Sequence, residues 1–239
     1  MKTLILVNTL QAVNSAVYSN HCQFWAYLKS HYPKDQFLFF TPHRMSIDTA
    51  RNLAAKTALE QECDYLMFLD DDVLVEPTTF DSMLAANKDV VMALTYLRSY
   101  PFKPMLFTAH ATQQNGLVFY EDFEKHINAD GLVECEAIGF SCALLRCDVL
   151  KRMVPPFFVT GPNNTEDIYF CVEAKKQLGE VSIYTDVKVP TGHLLSPEVI
   201  TRGTRDHLMT YYKSIEGERK EQSPDREFSY VQECINTLR

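Results

Sequence analysis

Short apolar runs alternate with amphipathic stretches through the first hundred residues, and this alternation most constrains the fold. Leu4–Val7, Phe37–Phe40, Tyr65–Leu69 and Val90–Leu94 have the length and composition of buried strands. Between them a helix is expected from Ser19 through Phe24, Trp25 and Leu28. A longer one starts at Ser46 and carries Ile47, Ala50, Leu53, Ala54 and Ala58 on one face. A short one starts at Thr78 or Thr79 and carries Phe80, Met83 and Leu84. Strands separated by helices pair in parallel through crossovers, so the chain reads as α/β with a mainly parallel, Rossmann-like sheet.

Residues 98–131, rich in Pro, aromatics and turn formers, interrupt the pattern and are expected to form loops and a small antiparallel layer. Val133, Cys135 and Ala137 alternate with Glu134 and Glu136 as in a half-exposed strand, and Ala143–Leu145 is a further strand. Asp148 is expected to cap a short helix through Met153. Thr165 is expected to cap a helix with Ile168, Cys171, Ala174 and Leu178 on one face, ended by Gly179. Strand signals return at Val181, Ile183 and Val187–Val189. No repeat or linker divides the chain, so residues 1–203 are read as one domain and 204–239 as its C-terminal helix and tail, with Tyr211-Tyr212 a candidate dimer surface or lid.

Composition excludes several classes. With 46% apolar residues the chain has material for a full core, and with 8 Gly it is no glycine-repeat protein. A formal charge of −8 disfavours a nucleic-acid binder that grips phosphates. The 7 Cys are odd in number, form no C-x-x-C pair and mostly sit in apolar stretches, which predicts free thiols and a cytoplasmic protein. No apolar run approaches the ~18 residues of a membrane span, and MKTLILVNT lacks the features of a signal peptide.

Six places carry candidate chemistry. Asp70-Asp71-Asp72 follows the strand Tyr65–Leu69, where open α/β sheets bind ligands. Three adjacent carboxylates suit Mg²⁺ or Mn²⁺, though an Asp triplet also suits a solvated turn. Glu166 and Asp167 can supply a general base, or simply complement a helix N-terminus. His193 in Pro190-Thr191-Gly192-His193 can complete a metal shell or be a hydrogen-bonded structural residue. Arg51-Asn52 can bind pyrophosphate or lie on a solvated helix face. Arg98 can bind phosphate from a loop, and Gly139-Phe140 marks a close backbone approach or a bulge. No Walker A loop, nucleophile elbow or G-x-G-x-x-G is present.

In order, Arg51-Asn52, FLDDDV at 68–73, YLRSYPF at 96–102, EAIGFSCALLR at 136–146, PPFF at 155–158, TEDIYFCVEAKKQLG at 165–179 and PTGH at 190–193 resemble a GT-A-fold, family 2-like nucleotide-sugar glycosyltransferase of the small phage and viral type. The resemblance spans roughly residues 1–200. It implies a GT-A fold, a Mn²⁺ or Mg²⁺ cofactor and a nucleotide-diphosphate sugar donor, expected to be UDP-linked. Asp70 and Asp72 match the D-x-D motif, and with His193 are the implied metal ligands. Asp167 matches the base of inverting members, with Glu166 beside it. Thr9, Arg51, Asp70, Asp71, Arg98, Gly139 and Phe140 fall at implied donor-binding positions. Thr9-Leu10-Gln11 departs from the polar start of many members, which leaves the base open. The acceptor is expected to be a hydroxyl of a glycan, a protein, a lipid-linked sugar or a modified base, and inverting transfer with Asp167 as base is expected, although fold and D-x-D alone do not decide between inversion and retention. Two alternatives stand beside this reading. A sugar nucleotidyltransferase would open with a G-x-G-T-R loop, which NTLQAVNS is not, and a non-catalytic carbohydrate binder would not need Glu166, Asp167 and His193 together.

Overall fold

In the first hundred residues strands form where the apolar runs predict, and the helices cross over them. In chain order the elements are β1 (Lys2–Asn8), α1 (Ser15–His31), β2 (Gln36–Phe40), α2 (Ile47–Glu60), β3 (Tyr65–Asp70), β4 (Val73–Val75), α3 (Thr79–Ala85) and β5 (Val90–Ala93). Then come β6 (Leu106–His110), β7 (Leu117–Phe119), β8 (Leu132–Glu134), β9 (Ala137–Ile138), β10 (Cys142–Arg146) and α4 (Cys147–Arg152). The last are α5 (Glu166–Leu178), β11 (Ile183–Asp186), β12 (Thr191–Leu195), β13 (Glu198–Ile200) and α6 (Arg205–Gln222). This computed structural model describes residues 1–9, 13–110, 117–162, 164–189, 191–195 and 198–222.

The central sheet has 7 strands in the order β2-β1-β3-β10-β5-β11-β8. β2, β1 and β3 are parallel, as are β5 and β11, while β10 and β8 run against their neighbours. The fold class is as expected: α/β, with a mainly parallel, Rossmann-like sheet flanked by helices, plus small antiparallel layers. Period-two alternation divides the core. Leu4, Leu6, Leu66, Phe68, Ala143 and Leu145 pack with residues of α2, α4 and α5 on one face. Ile5, Val7, Met67, Leu69, Cys142 and Leu144 pack with Phe24 and Leu28 of α1 and Phe80 and Met83 of α3 on the other. Burying a side chain such as Phe80 contributes about 1.5–3 kcal/mol.

Several expectations need correction. α1 starts at Ser15, four residues before Ser19, because Asn14 accepts the Ala16 N–H at 2.8 Å and provides the cap. The run Val133–Ala137 is not one strand: it splits between β8 in the central sheet and β9 in a three-stranded sheet with β6 and β7, while its burial alternates as expected, with Val133, Cys135 and Ala137 buried and Glu134 and Glu136 more exposed. Val187–Val189 form a turn after β11, and the strand follows at Thr191. α4 begins at Cys147 with Arg146 at the cap position, so Asp148 lies in its first turn. Ser46 and Thr165 do occupy cap positions, but neither side chain bonds the helix backbone. The hydroxyl of Ser46 donates to Asp48 and that of Thr165 to Asp167.

Five cysteines (63, 135, 142, 147 and 171) are buried free thiols, and Cys22 is partly buried and free. Burial pushes the Cys135 and Cys147 thiols up to about 12. Cys234, Pro190, the segment 10–12 and the expected tail beyond 222 lie outside the described residues. Among the described residues no helix is long and apolar enough to cross a membrane.

Candidate active site

The acidic triplet begins inside the sheet. Asp70 is the last residue of β3, and its N–H donates to the Ser141 carbonyl at 2.8 Å. Asp71 and Asp72 form the turn into β4. β4 pairs antiparallel with β12, setting His193 opposite Val73 and so beside Asp72. The Leu194 N–H donates to the Asp72 carbonyl at 2.8 Å, which fixes the turn to that strand.

One cluster forms around Asp72. His193 Nε2 lies 3.3 Å from Asp72 Oδ1, and Arg98 Nη1 lies 2.9 Å from Oδ2. The other ring nitrogen of His193, Nδ1, donates to the Tyr96 carbonyl at 2.7 Å. That bond commits the ring's hydrogen to Nδ1, so a neutral ring turns the Nε2 lone pair toward a carboxylate oxygen. Two acceptors facing each other need a proton or a cation between them. Their separation is close to the ~3 Å between adjacent corners of an octahedron with ~2.1 Å metal–oxygen bonds. A carbonyl behind the imidazole is also how metal-bound histidines are held. The donor set therefore fits Mn²⁺ or Mg²⁺. Among the described residues no three Asp, Glu, His or Cys side chains converge into a complete cage, in keeping with ions that take one or two carboxylates and complete their shell with water and phosphate oxygens.

The second cluster is centred on Arg51, which is 2% exposed. Its Nη1 lies 2.6 Å from Glu166 Oε1 and 3.9 Å from Asp167 Oδ2. Its Nη2 lies 3.7 Å from Asp70 Oδ1 and donates to the Phe140 carbonyl at 3.4 Å. The guanidinium carbon is 5.7 Å from the ring centres of both Phe68 and Phe140. Arg51 fits because Ala50, Ala54, Ala55 and Ala58 let α2 lie close on the sheet. It is not a solvated helix residue, since its charge is matched by the carboxylates of β3 and α5. Asn52 anchors the loop before α5: its Oδ1 accepts the Phe157 and Phe158 N–H groups at 2.9 and 3.1 Å.

The carboxylates differ in setting. Burial pushes Asp70 up to about 7, with Arg51 pulling it down and Asp72 pushing it further up. Burial likewise raises Glu166 against the opposing charge of Arg51. Asp71 is raised by burial, opposed by the Thr9 hydroxyl. For Asp72, burial pushes up, but hydrogen bonding and charge from His193 and the charge of Arg98 outweigh it and hold the carboxyl below its ordinary value. Asp167 Oδ1 accepts from the Thr165 hydroxyl and from the Ile168 N–H at 2.8 Å, leaving Oδ2 less committed.

The structure thus brings Arg51, Asp70, Glu166 and Asp167 together, sets Asp72, His193 and Arg98 beside them, and places Thr9 next to Asp71 behind the turn. Gly139 and Phe140 lie beneath the site. A Cβ at Gly139 would collide with the Met105 side chain, so the close backbone approach is to Met105, whose carbonyl takes the Gly139 N–H at 2.9 Å. The Phe140 ring is buried against Phe68, Phe158 and Phe170, and its carbonyl reaches the site. Sequence reasoning missed Tyr96, because its contribution is a backbone carbonyl, and β4, because three residues show no period.

No protein-family model and no curated protein matches the sequence. Among solved structures, A197 from STIV matches with a TM-score of 0.56 and 18% identity, over 84% of this chain and 94% of that one, and has the same fold. A Drosophila β1,4-galactosyltransferase 7 mutant in complex with manganese, UDP-Gal and xylobiose gives a TM-score of 0.44 and 13% identity, over 78% of this chain and 65% of that one. A glycosyltransferase involved in glycosylation of the major capsid of PBCV-1 gives 0.32 and 13%, over 63% of each chain.

Proposed function

We propose that this chain is a metal-dependent glycosyltransferase that moves a sugar from a nucleotide-diphosphate sugar, a UDP-sugar in the first instance, to a hydroxyl acceptor. The observation that carries the reading is the opposition of Asp72 Oδ1 and His193 Nε2 at 3.3 Å, with Nδ1 committed to Tyr96, beside a second carboxylate cluster at the same sheet edge. Asp72 and His193, with Asp70 adjacent, would hold Mn²⁺ or Mg²⁺, which when bound supplies positive charge against the departing diphosphate. Arg98 reaches the same carboxylate and can donate to phosphate oxygens. Asp167 is the general base. Thr165 and the Ile168 amide orient it through Oδ1, and Oδ2 takes the acceptor proton. Glu166 takes the closer contact with Arg51, at 2.6 Å, and Asp167 Oδ2 stands 3.9 Å from the same guanidinium. Inverting transfer, a single in-line displacement, is the form this arrangement serves with one base.

Calorimetric titration of UDP with and without Mn²⁺ tests the donor half. Asp72→Ala is expected to abolish metal-dependent binding. Asp167→Ala is expected to keep binding and to lower donor turnover at least 100-fold, as loss of a general base does. No nucleotide binding under either condition would overturn the reading, and normal turnover by Asp167→Ala would overturn the base assignment.

A further inference from the structure

Asp70 stands in the middle of a row of three polar residues on adjacent strands. The parallel register sets Asn8 of β1 beside Asp70, and the antiparallel ladder, carried one step past Cys142 and Leu69, sets Ser141 on its other side. Residues paired across a ladder project to the same face of the sheet. That face is the one α2 covers, as Leu6, Phe68 and Ala143 show by their packing two residues away. The row spans about 10 Å, two strand spacings.

Both flanks hold a buried polar atom with no hydrogen-bond partner among the described residues: Asn8 Oδ1 and Ser141 Oγ. Ser141 is 1% exposed, and its backbone is already used to position Asp70. An unpartnered buried polar group is unfavourable by about 1–3 kcal/mol, so two of them on either side of the same carboxylate point to a ligand that completes them.

The chemistry of the row narrows that ligand. Asn8 Oδ1 and an ionised Asp70 only accept, and Ser141 can donate or accept. The nearest cation, Arg51, is engaged by Glu166, Asp70 and the Phe140 carbonyl. A row of acceptors does not suit phosphate, which also only accepts. It suits the hydroxyls of a sugar ring.

Resting on the glycosyltransferase reading, we infer that Ser141 is a ligand-binding residue which, with Asn8 across Asp70, recognises ring hydroxyls of the donor. Phosphates then fall at the Asp72, His193 and Arg98 end. The same hydroxyl chemistry belongs to the nucleotide's ribose and to the sugar that is transferred.

Calorimetry on the full chain with Mn²⁺ separates the two. The ligands are UDP, its 2′- and 3′-deoxy forms and UDP-glucose, and the proteins are wild type and Ser141→Ala. Because the hydroxyl has no partner among the described residues, the ligand-free variant is expected to melt at or above the wild-type temperature. If the row holds ribose, Ser141→Ala weakens UDP binding about 3–10-fold, and the deoxy form lacking the contacted hydroxyl no longer distinguishes variant from wild type. If it holds the transferred sugar, UDP binding is unchanged and UDP-glucose binding falls by that factor. Equal binding of every ligand by both proteins overturns the inference and leaves the parent reading standing. A drop of several degrees in the ligand-free melting temperature overturns it too, since the hydroxyl would then serve the fold. Failure of the wild type to bind any of these ligands overturns the parent reading and this one with it.

Discussion

Arg51 Nη1 sits 2.6 Å from Glu166 Oε1, joining residues 115 positions apart, and both side chains are almost fully buried. The guanidinium is the main counter-charge to the carboxylates of β3 and α5. Removing it leaves them uncompensated, and breaking a buried pair is destabilising by about 3–5 kcal/mol. Arg51→Met is expected to lower the urea midpoint by a corresponding amount. Adding Glu166→Gln in the same chain is expected to recover part of the loss, because the stranded carboxylate is then neutral. Urea unfolding of the two single variants and the double variant measures the coupling.

His21 ties the acidic turn to the opposite face of the sheet. Buried in α1, it places Nε2 2.8 Å from the Val73 carbonyl, one residue after Asp72. Burial lowers its folded-state pKa, against opposing effects from that carbonyl and from Asp71. The folded protein therefore binds this proton less tightly than the unfolded chain. Its contribution is complete above the unfolded value of about 6.5 and is lost as pH falls through and below it. His21→Gln, which keeps a donor for Val73, is expected to show a shallower loss of stability than wild type between pH 7.5 and 5. Urea midpoints across that range check the slope, and parallel slopes would remove His21 as its source.

The Asp72 and His193 pair makes stability report on metal. Ligand binding to the folded state raises apparent stability by about 2.7 kcal/mol at 100 times the dissociation constant. Mn²⁺ with UDP is expected to raise the melting temperature of wild type, and His193→Ala to remove most of that shift. EDTA is expected to reverse it in wild type and to leave the variant unchanged. Differential scanning fluorimetry with and without EDTA measures both.

How far the sequence foretold this site depends on whether the signal was local. Asp70–Asp72 could be placed because a buried strand ends there, and Glu166-Asp167 because Thr165 opens a helix. That His193 meets Asp72 depends on β4 and β12 pairing across 118 positions of chain, and neither short strand advertises its partner. Arg51 could not be told from a solvated residue by spacing, because burying a guanidinium depends on the carboxylates that fold brings to it. Ser141 was invisible for a related reason: a hydroxyl in an apolar strand is ordinary until its lack of a partner is seen. The boundaries missed, at α1 and at Val187–Val189, were set by a cap and a turn that outweighed apolar pattern.

Arg98 separates affinity from stability. Its side chain is 54% exposed, and it reaches Asp72 Oδ2 at 2.9 Å. Ion pairs so open to water contribute about 0–1 kcal/mol, so Arg98→Ala is expected to leave ligand-free stability almost unchanged. If the guanidinium donates to a donor phosphate, the variant loses a charge-assisted hydrogen bond worth about 1.5–3 kcal/mol, a decrease in UDP affinity of roughly 10–100-fold. Lysine carries the charge but not the two-pronged donor geometry, so Arg98→Lys is expected to fall between the two. Nucleoside monophosphates and diphosphates compared by calorimetry locate the contact, because a bond to the outer phosphate makes the variant's loss appear with UDP and not with UMP. A loss equal for both nucleotides would place Arg98 away from that phosphate, and no loss with either would remove it from the donor site.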